Sequence, residues 1–250
     1  FTKQYIKNQR IFPENIYLTG AGWLGYFIYV PIALAVIGLL YWLLLRRIPI
    51  IVIRIVSLFI ISAPLLTFPL WEALSISYEA ERLCKEQGGL HVYKVVEPDG
   101  LLGGGGIEYW SKYGFDFTES GGGKYMNRQK MKNGVVVKES ITEYKSLYQV
   151  QTGVDRRKIS NRMRRSSSRV IVRETGEVLS ELVTIGIHPS RFDLIALSLL
   201  PVEYNGWRCG DEAPPDKGMF SPAHGKRLYG ISDVIKSAFI LKKQTEGEGK

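Results

Sequence analysis

His188, Ser190 and Asp193 bring the three residue types of a hydrolytic triad within six positions of one another. A serine nucleophile needs a base and an orienting carboxylate in a defined geometry, and α/β-hydrolases place it on a GxSxG turn. No such turn surrounds Ser190. The spacing from Ser190 to Asp193 instead favours a capping box that opens a helix through Leu200 and ends before Pro201. We therefore predict no catalytic residue here.

Metal chemistry has equally weak support. A zinc site built from neighbouring residues usually shows an HxH, HExxH or HxxxH spacing. The three histidines, His91, His188 and His224, form none of these. The glycine run at 121–123 is followed by Lys-Tyr, which fails the GK[ST] requirement of a phosphate loop. We therefore predict no metal site and no cofactor.

Basic residues are the most informative chemical feature. The chain has 33 Lys and Arg against 24 Asp and Glu, a formal net charge of +9. A dense basic stretch attracts phospholipid headgroups, other envelope polyanions or an acidic protein. Nucleic acid is a weaker candidate because no helix-turn-helix, RRM or OB pattern is present. A solvated face with local salt bridges is the alternative. The candidate surface comprises Arg156, Arg157, Lys158, Arg162, Arg164, Arg165 and Arg169.

Two cysteines, Cys84 and Cys209, lie far apart in the sequence and form no CxxC pair. In an exported protein such an even pair can form a structural disulfide. Two separate buried thiols are the alternative, and the sequence does not decide between them.

The first third of the chain holds two long apolar runs. Residues 23–45 contain no charge and are long enough for a bilayer core about 30 Å thick. The second run, 50–70, contains only Arg54, which lies close enough to the Arg46-Arg47 turn to extend to the interface. The short connection predicts a tight transmembrane hairpin, and Pro69 predicts a break in the second helix.

The orientation of this hairpin follows from its charges. Arg46, Arg47 and Arg54 cluster at the turn, and basic residues near a membrane end favour the cytoplasmic side. Basic residues also flank the other ends of both helices, so the count is nearly balanced. We favour both termini outside the cytoplasm, which makes the following domain periplasmic. A cytoplasmic domain is the alternative.

The fold class that results is a membrane-anchored α+β protein. Residues 1–22 form an N-terminal tail, 23–71 the hairpin, 72–244 an α+β domain with mainly antiparallel sheet, and 245–250 a disordered polar tail. Within the domain, β-rich composition predicts strands at 90–96, 135–141, 144–151 and 159–165 and a hairpin over 169–187. Helical spacing predicts helices at 71–87, 190–200 and 232–242.

The run Leu83-Cys84-Lys85-Glu86-Gln87-Gly88-Gly89, with Val92-Tyr93 after it, follows the hydrophobic hairpin directly. In this it resembles uncharacterised small membrane proteins of Gram-negative bacteria. The resemblance covers about thirty residues and implies an inner-membrane setting. It carries over no functional residue, because the family has no assigned activity.

Together these observations predict a bacterial inner-membrane protein that acts by binding, in an accessory, assembly or immunity role. Its expected partners are the lipid bilayer and another membrane or envelope protein. An enzyme acting on an envelope substrate is the first alternative. A cytoplasmic-facing binder of anionic lipid or nucleic acid is the second.

Overall fold

The computed structural model describes residues 16–43, 45–123, 125–199, 206–213, 219–221 and 226–241. These residues form two compact units. The predicted tail at 245–250 and most of the predicted tail at 1–22 lie outside the described residues. The first unit holds the described residues up to Leu83, with Ser160–Met163 and the described part of Ile187–Trp207. The second holds Cys84–Ile159, Arg164–Gly186 and the described residues from Arg208 onward.

Two long apolar helices make up most of the first unit. They are α1 (Gly20–Leu43) and α2 (Ile51–Gln87), joined through a 3-10 turn at Leu45–Arg47. Both are long and apolar enough to cross a membrane. A core helix of a soluble protein would be mostly buried, whereas only 11% of the most apolar window of α1 and 0% of that of α2 is buried. Their exposed apolar surface therefore favours the predicted hairpin.

The predicted break at Pro69 is wrong, because α2 continues through both Pro64 and Pro69. A proline in a helix leaves the carbonyl four residues earlier without its donor. For Pro69 that carbonyl belongs to Leu65, and the hydroxyl of Tyr29 on α1 donates to it at 2.7 Å. The replacement donor satisfies the freed carbonyl, so the helix has no need to end there.

Beyond its apolar half, α2 becomes amphipathic. Ala73, Ile76, Ala80 and Leu83 are buried at helical spacing, the pattern of a helix with one apolar face. The helix ends at Gln87, and the following Gly89 has a φ of 117°. That left-handed conformation favours glycine, as the Gly88-Gly89 pair predicted.

The second unit is built on a mixed sheet. After α2 the chain forms β1 (Gly89–Val92), β2 (Gly100–Leu102), α3 (Ile107–Trp110), β3 (Phe117–Gly122), β4 (Tyr125–Lys132), β5 (Val135–Ile141), β6 (Tyr148–Lys158), β7 (Met163–Val172) and β8 (Val178–Ile187). Next come α4 (Arg191–Leu199), β9 (Trp207–Cys209), β10 (Met219–Ser221), β11 (Lys226–Leu228) and α5 (Ile231–Ala238).

The strand order is β1-β8-β7-β6-β2-β3-β4-β5, with β9 also paired to β8 and with β10 and β11 forming a separate pair. The short strand β2 runs parallel to both β3 and β6. The ladders that join β1 to β8, β3 to β4, β4 to β5 and β6 to β7 are antiparallel. The sheet is therefore mixed, and the predicted mainly antiparallel arrangement holds only away from β2.

Some predicted strands match, two are shifted or shortened and one is wrong. The strand predicted at 90–96 is β1, which ends at Val92, and the one predicted at 144–151 is β6, which begins only at Tyr148. Residues 135–141 form β5 as predicted, and the predicted hairpin at 169–187 lies within β7 and β8. The strand predicted at 159–165 is wrong, because its first half is the turn between β6 and β7. Ser160 and Asn161 are common turn residues, and the Ser160 amide donates to the Met163 carbonyl at 3.3 Å.

The core of the second unit lies between the sheet and the short helices α3 and α5. Trp110 and Phe115 are 3% exposed, so part of the aromatic stretch at 109–117 belongs to this core. The Phe115 and Phe239 rings meet edge to face at 4.8 Å between centroids. Helix α5 ends at Ala238, short of the predicted 242, because Phe239 pairs with Val96 in an isolated parallel bridge.

A buried ion pair joins β3 to β4. Glu119 on β3 is 0% exposed and accepts a hydrogen bond from Nε of Arg128 on β4 at 2.8 Å. Its carboxylate also accepts the backbone amides of Lys145 and Ser146 at 3.0 and 2.9 Å, and the Ser146 hydroxyl. Burial alone would raise the pKa of Glu119, but these hydrogen bonds outweigh it and hold that pKa below its ordinary value.

Replacing Glu119 with Gln should destabilise the second unit. Because one partner of a buried ion pair is lost, we expect a cost of about 3 kcal/mol at neutral pH, measured as a lower Tm of the purified chain. The pKa of Glu119 is lower in the folded chain than in the unfolded chain, where it is about 4.3. The ionised carboxylate therefore stabilises the fold fully above about pH 4.3, and this stabilisation is lost as the pH falls through the pKa of the folded chain. The Tm difference between wild type and Glu119→Gln should therefore narrow below about pH 4.3.

Glu139→Gln is the matched control. Glu139 is exposed, and its carboxylate lies 3.9 Å from the Lys130 ammonium, so its loss should cost less than about 1 kcal/mol. Equal Tm losses in the two variants, or a Glu119→Gln difference that does not change with pH, would contradict the assigned role of Glu119.

Candidate functional site

The predicted basic surface separates into bound and exposed residues. Arg162, Arg165 and Arg169 are half-buried and bound to partners within the fold. Arg162 donates to Glu72 at 3.0 Å, and Arg169 donates to the Gln151 side chain at 2.9 Å. These residues hold the fold together and are poorly placed to bind a partner.

Arg165 is the most enclosed of the three, with 13% of its side chain exposed. It lies between Asp155 on β6, with which it forms an ion pair, and Glu181 on β8, at 3.6 Å. Its charge is therefore balanced by two carboxylates. Asp155 itself has a φ of 51°, and it sits where the β6–β7 ladder is irregular between Val154 and Arg157.

The remaining four residues are exposed at the end of the β6–β7 hairpin, and we call them the basic hairpin end. Register pairs Lys158 with Arg164 directly across the two strands. Arg157 is 64% exposed, and its ion pair with Asp155 is long at 3.5 Å. Like charges opposite one another repel, and this end of the hairpin brings four exposed basic side chains close together. The basic hairpin end comprises Arg156, Arg157, Lys158 and Arg164.

The turn that closes this hairpin belongs to the first unit. Ser160–Met163 groups with the apolar helices, and Arg162 in this turn pairs with Glu72 of α2. Glu72 follows the exposed Trp71, which is 72% exposed at the end of the apolar half of α2. The turn therefore lies at the level where that apolar half ends.

The three arginines from which the sequence predicted the orientation, Arg46, Arg47 and Arg54, lie at the other end of the two apolar helices. Arg46 and Arg47 are exposed in the 3-10 turn. The Arg54 guanidinium reaches back from α2 and donates to the Ile48 carbonyl at 2.5 Å. That direction, toward the turn, is the one expected of a side chain that extends to an interface.

Cys84 and Cys209 form a disulfide, with 5.9 Å between their Cα atoms. It joins the last turn of α2 to β9 across 125 residues of sequence. The backbones around it are close, because a Cβ added to Gly88 would lie 2.8 Å from the Gly210 Cα atom. The sequence left the pairing open, and the structure supports the disulfide.

Of the three residues that suggested hydrolytic chemistry, Ser190 and Asp193 act at helix N-termini, and the His188 backbone amide donates to the Arg162 carbonyl at 2.7 Å. The Ser190 hydroxyl accepts the backbone amide of Asp193 at 3.1 Å, which is the first half of the predicted capping box. The Asp193 carboxylate accepts instead from the amide of Thr19, at 3.1 Å, and from its hydroxyl. Among the described residues, no group of three His, Cys, Asp or Glu is placed to hold a metal ion.

Comparisons with protein-family models, with curated proteins and with solved structures find no match to this chain. The fold and the geometry of the basic hairpin end are thus the observations from which a function can be argued. Sequence reasoning located the basic stretch but missed which of its members are exposed. It also missed the buried acids Glu119 and Asp193, since nothing in the local sequence around Glu119 predicts burial.

Mass spectrometry of alkylated protein can test the disulfide. Under denaturing conditions without reductant we expect no alkylated cysteine, and after reduction we expect two. The double variant Cys84→Ser/Cys209→Ser should unfold more easily, because a bond that closes a loop of this length adds up to about 4–5 kcal/mol in the chain-entropy model. Two alkylated cysteines before reduction would contradict the bond.

Proposed function

We propose that this chain is a membrane-anchored binding protein of the bacterial inner membrane. In this proposal α1 and the apolar half of α2 cross the bilayer, and the β-sheet unit is held at its periplasmic face. The exposed apolar surface of both helices supports the anchor, and the resemblance at residues 83–93 supports the envelope setting. The arginines at the connecting turn support a cytoplasmic turn.

The observation that carries the binding role is the basic hairpin end. It holds four exposed basic side chains, while the neighbouring Arg162, Arg165 and Arg169 are half-buried. Guanidinium groups bind phosphate oxygens in pairs, and clusters of basic residues near a membrane surface attract anionic headgroups. Lys158 is two residues along the chain from Ser160, within about 7 Å of it. The turn at Ser160 lies at the level where the apolar half of α2 ends. Anionic phospholipid headgroups of the same leaflet are therefore the ligand that this surface fits best.

A second candidate function is binding of another envelope protein through the sheet edge. Among the described strands, β5 pairs with β4 alone, and Val135 is 65% exposed on it. An open edge strand can accept an extended segment of a partner by adding a strand to the sheet. This candidate does not use the basic hairpin end, so the two can be separated by mutation.

Thiol labelling in spheroplasts tests the orientation. Pro49→Cys, in the exposed connection between the helices, and Lys138→Cys, exposed on β5, are compared with the parent chain as blank. A membrane-impermeant maleimide should label Lys138→Cys in intact spheroplasts and Pro49→Cys only after lysis. The reverse pattern would place the sheet unit in the cytoplasm, and labelling of both before lysis would contradict the two-span anchor.

Thermal unfolding of the full chain in neutral detergent micelles tests the ligand. Phosphatidylglycerol should raise the Tm by several degrees more than phosphatidylcholine does, because ligand binding to the folded state stabilises it. The extra shift should fall in high salt, which screens exposed charges. It should be largely lost in Arg156→Gln/Arg157→Gln/Lys158→Gln.

The control is Lys130→Gln/Lys132→Gln/Lys138→Gln, which removes the same number of charges from β4 and β5. This variant should keep the full phosphatidylglycerol shift. If the hairpin variant keeps the shift as well, the basic hairpin end does not bind lipid headgroups. Binding by the β5 edge then becomes the leading role.

A further inference from the structure

Helix α4 follows the β-rich part of the chain, yet it belongs to the first unit with the apolar helices. It packs on the beginning of α1. The Phe192 and Tyr29 rings meet edge to face at 6.2 Å between centroids, and Asp193 binds the residue that precedes α1. The sequence predicted a helix here but placed it in the soluble domain.

Small residues on α1 allow this close approach. A Cβ added to Gly25 would lie 3.1 Å from the Ala196 side chain, and one added to Gly22 would collide with the Asp193 carboxylate. Glycine and alanine at such contacts are typical of helices that pack within a membrane. The contacts extend from Gly22 to Tyr29, a rise of about 10 Å along α1. Helix α4 therefore lies beside residues of the predicted span, which begins at residue 23.

The face of α4 that points away from α1 is apolar. Asp193 and Ala196 are buried, whereas Leu194, Ile195 and Leu199 are 44%, 60% and 77% exposed. Three large aliphatic side chains on the free face of a nine-residue helix would be costly in water. This face adjoins a helix whose own surface is apolar, as shown by Phe27 and Ile28, which are 67% and 58% exposed.

Polar groups of α4 lie near the interface or are satisfied within the helix. The exposed Ser198 hydroxyl, on the free face, donates to the Ile195 carbonyl at 2.7 Å. Arg191, the first residue of α4, is exposed, and its backbone amide donates to Glu72 at 2.7 Å. Glu72 marks the level where the apolar half of α2 ends. The one buried charge, Asp193, is satisfied by Thr19 at the start of α1 and lies in the first turn of α4. Both helix N-termini carry partial positive charge that stabilises a carboxylate.

We propose that α4 is a third membrane-inserted element, a short helix lying in the interface with its free face in the acyl chains of the leaflet. Leu194, Ile195 and Leu199 are the inserting side chains, and Arg191 stays at the headgroups. The occupant of this face is lipid, because α4 packs against α1, whose own exposed surface is apolar. This inference rests on the proposed anchoring of α1 and α2.

Site-directed spin labelling of the full chain in lipid nanodiscs tests the proposal. Labels are placed by Ile195→Cys and Leu199→Cys on α4, Ile28→Cys on α1 and Lys138→Cys on β5, with the native disulfide intact. All four positions are exposed, so the labels should be tolerated. Collision with oxygen, which concentrates in lipid, is compared with collision with a water-soluble nickel chelate.

The α4 labels should resemble Ile28→Cys, with high oxygen and low nickel accessibility, and Lys138→Cys should show the opposite. If Ile28→Cys is lipid-exposed while both α4 labels are nickel-accessible, α4 does not insert, although the anchor stands. If Ile28→Cys itself is nickel-accessible, the proposed anchor has failed. Low accessibility of the α4 labels to both reagents would mean that protein, such as a second copy of this chain, covers the face, and would overturn the lipid assignment.

Discussion

A carboxylate with no exposed surface, that of Asp193, holds the start of α1 to the start of α4. A buried carboxylate is costly unless hydrogen bonds satisfy its oxygens. Thr19 meets that requirement with its amide and hydroxyl, and the Thr19 hydroxyl in turn accepts the Gly22 amide at 3.0 Å. The need to satisfy one charge thus fixes where α1 begins, requires glycine at position 22 and keeps α4 with the apolar helices.

The second unit uses the same kind of constraint. Glu119 accepts hydrogen bonds from Arg128 and from the segment at Lys145 and Ser146, which leads into β6. Arg173 adds to this by donating to the Ser146 carbonyl at 2.7 Å. The charged groups that fix the sheet are therefore buried or half-buried, whereas the four side chains of the basic hairpin end are exposed.

The elements that the sequence predicted well are those whose pattern is local. The apolar runs, the hairpin at 169–187 and strand β5 follow from composition and periodicity within a short window. The missed features depend on distant partners. Pro69 alone predicts a break in α2, and the helix continues because Tyr29, forty positions earlier, donates to the freed carbonyl. Strand β2 has only three residues, and its parallel pairing depends on distant strands that the local sequence does not reveal. The basic stretch was visible as a stretch, but its division into bound and exposed arginines depends on Glu72, Gln151 and Glu181.

The hydrogen bonds of the apolar helices bear on their environment. Within a bilayer no water is present to satisfy a freed backbone group. The carbonyl that Pro69 leaves unpaired is satisfied from α1 by Tyr29, and the Ile48 carbonyl near the turn is satisfied by Arg54. The same helices leave Phe59 and Phe68 71% and 77% exposed. A surface in water would favour the opposite, with apolar rings covered and free carbonyls hydrated. Internal pairing of these two carbonyls beneath an exposed apolar surface is the arrangement that lipid as a solvent favours, and it supports the proposed anchor by an argument other than composition.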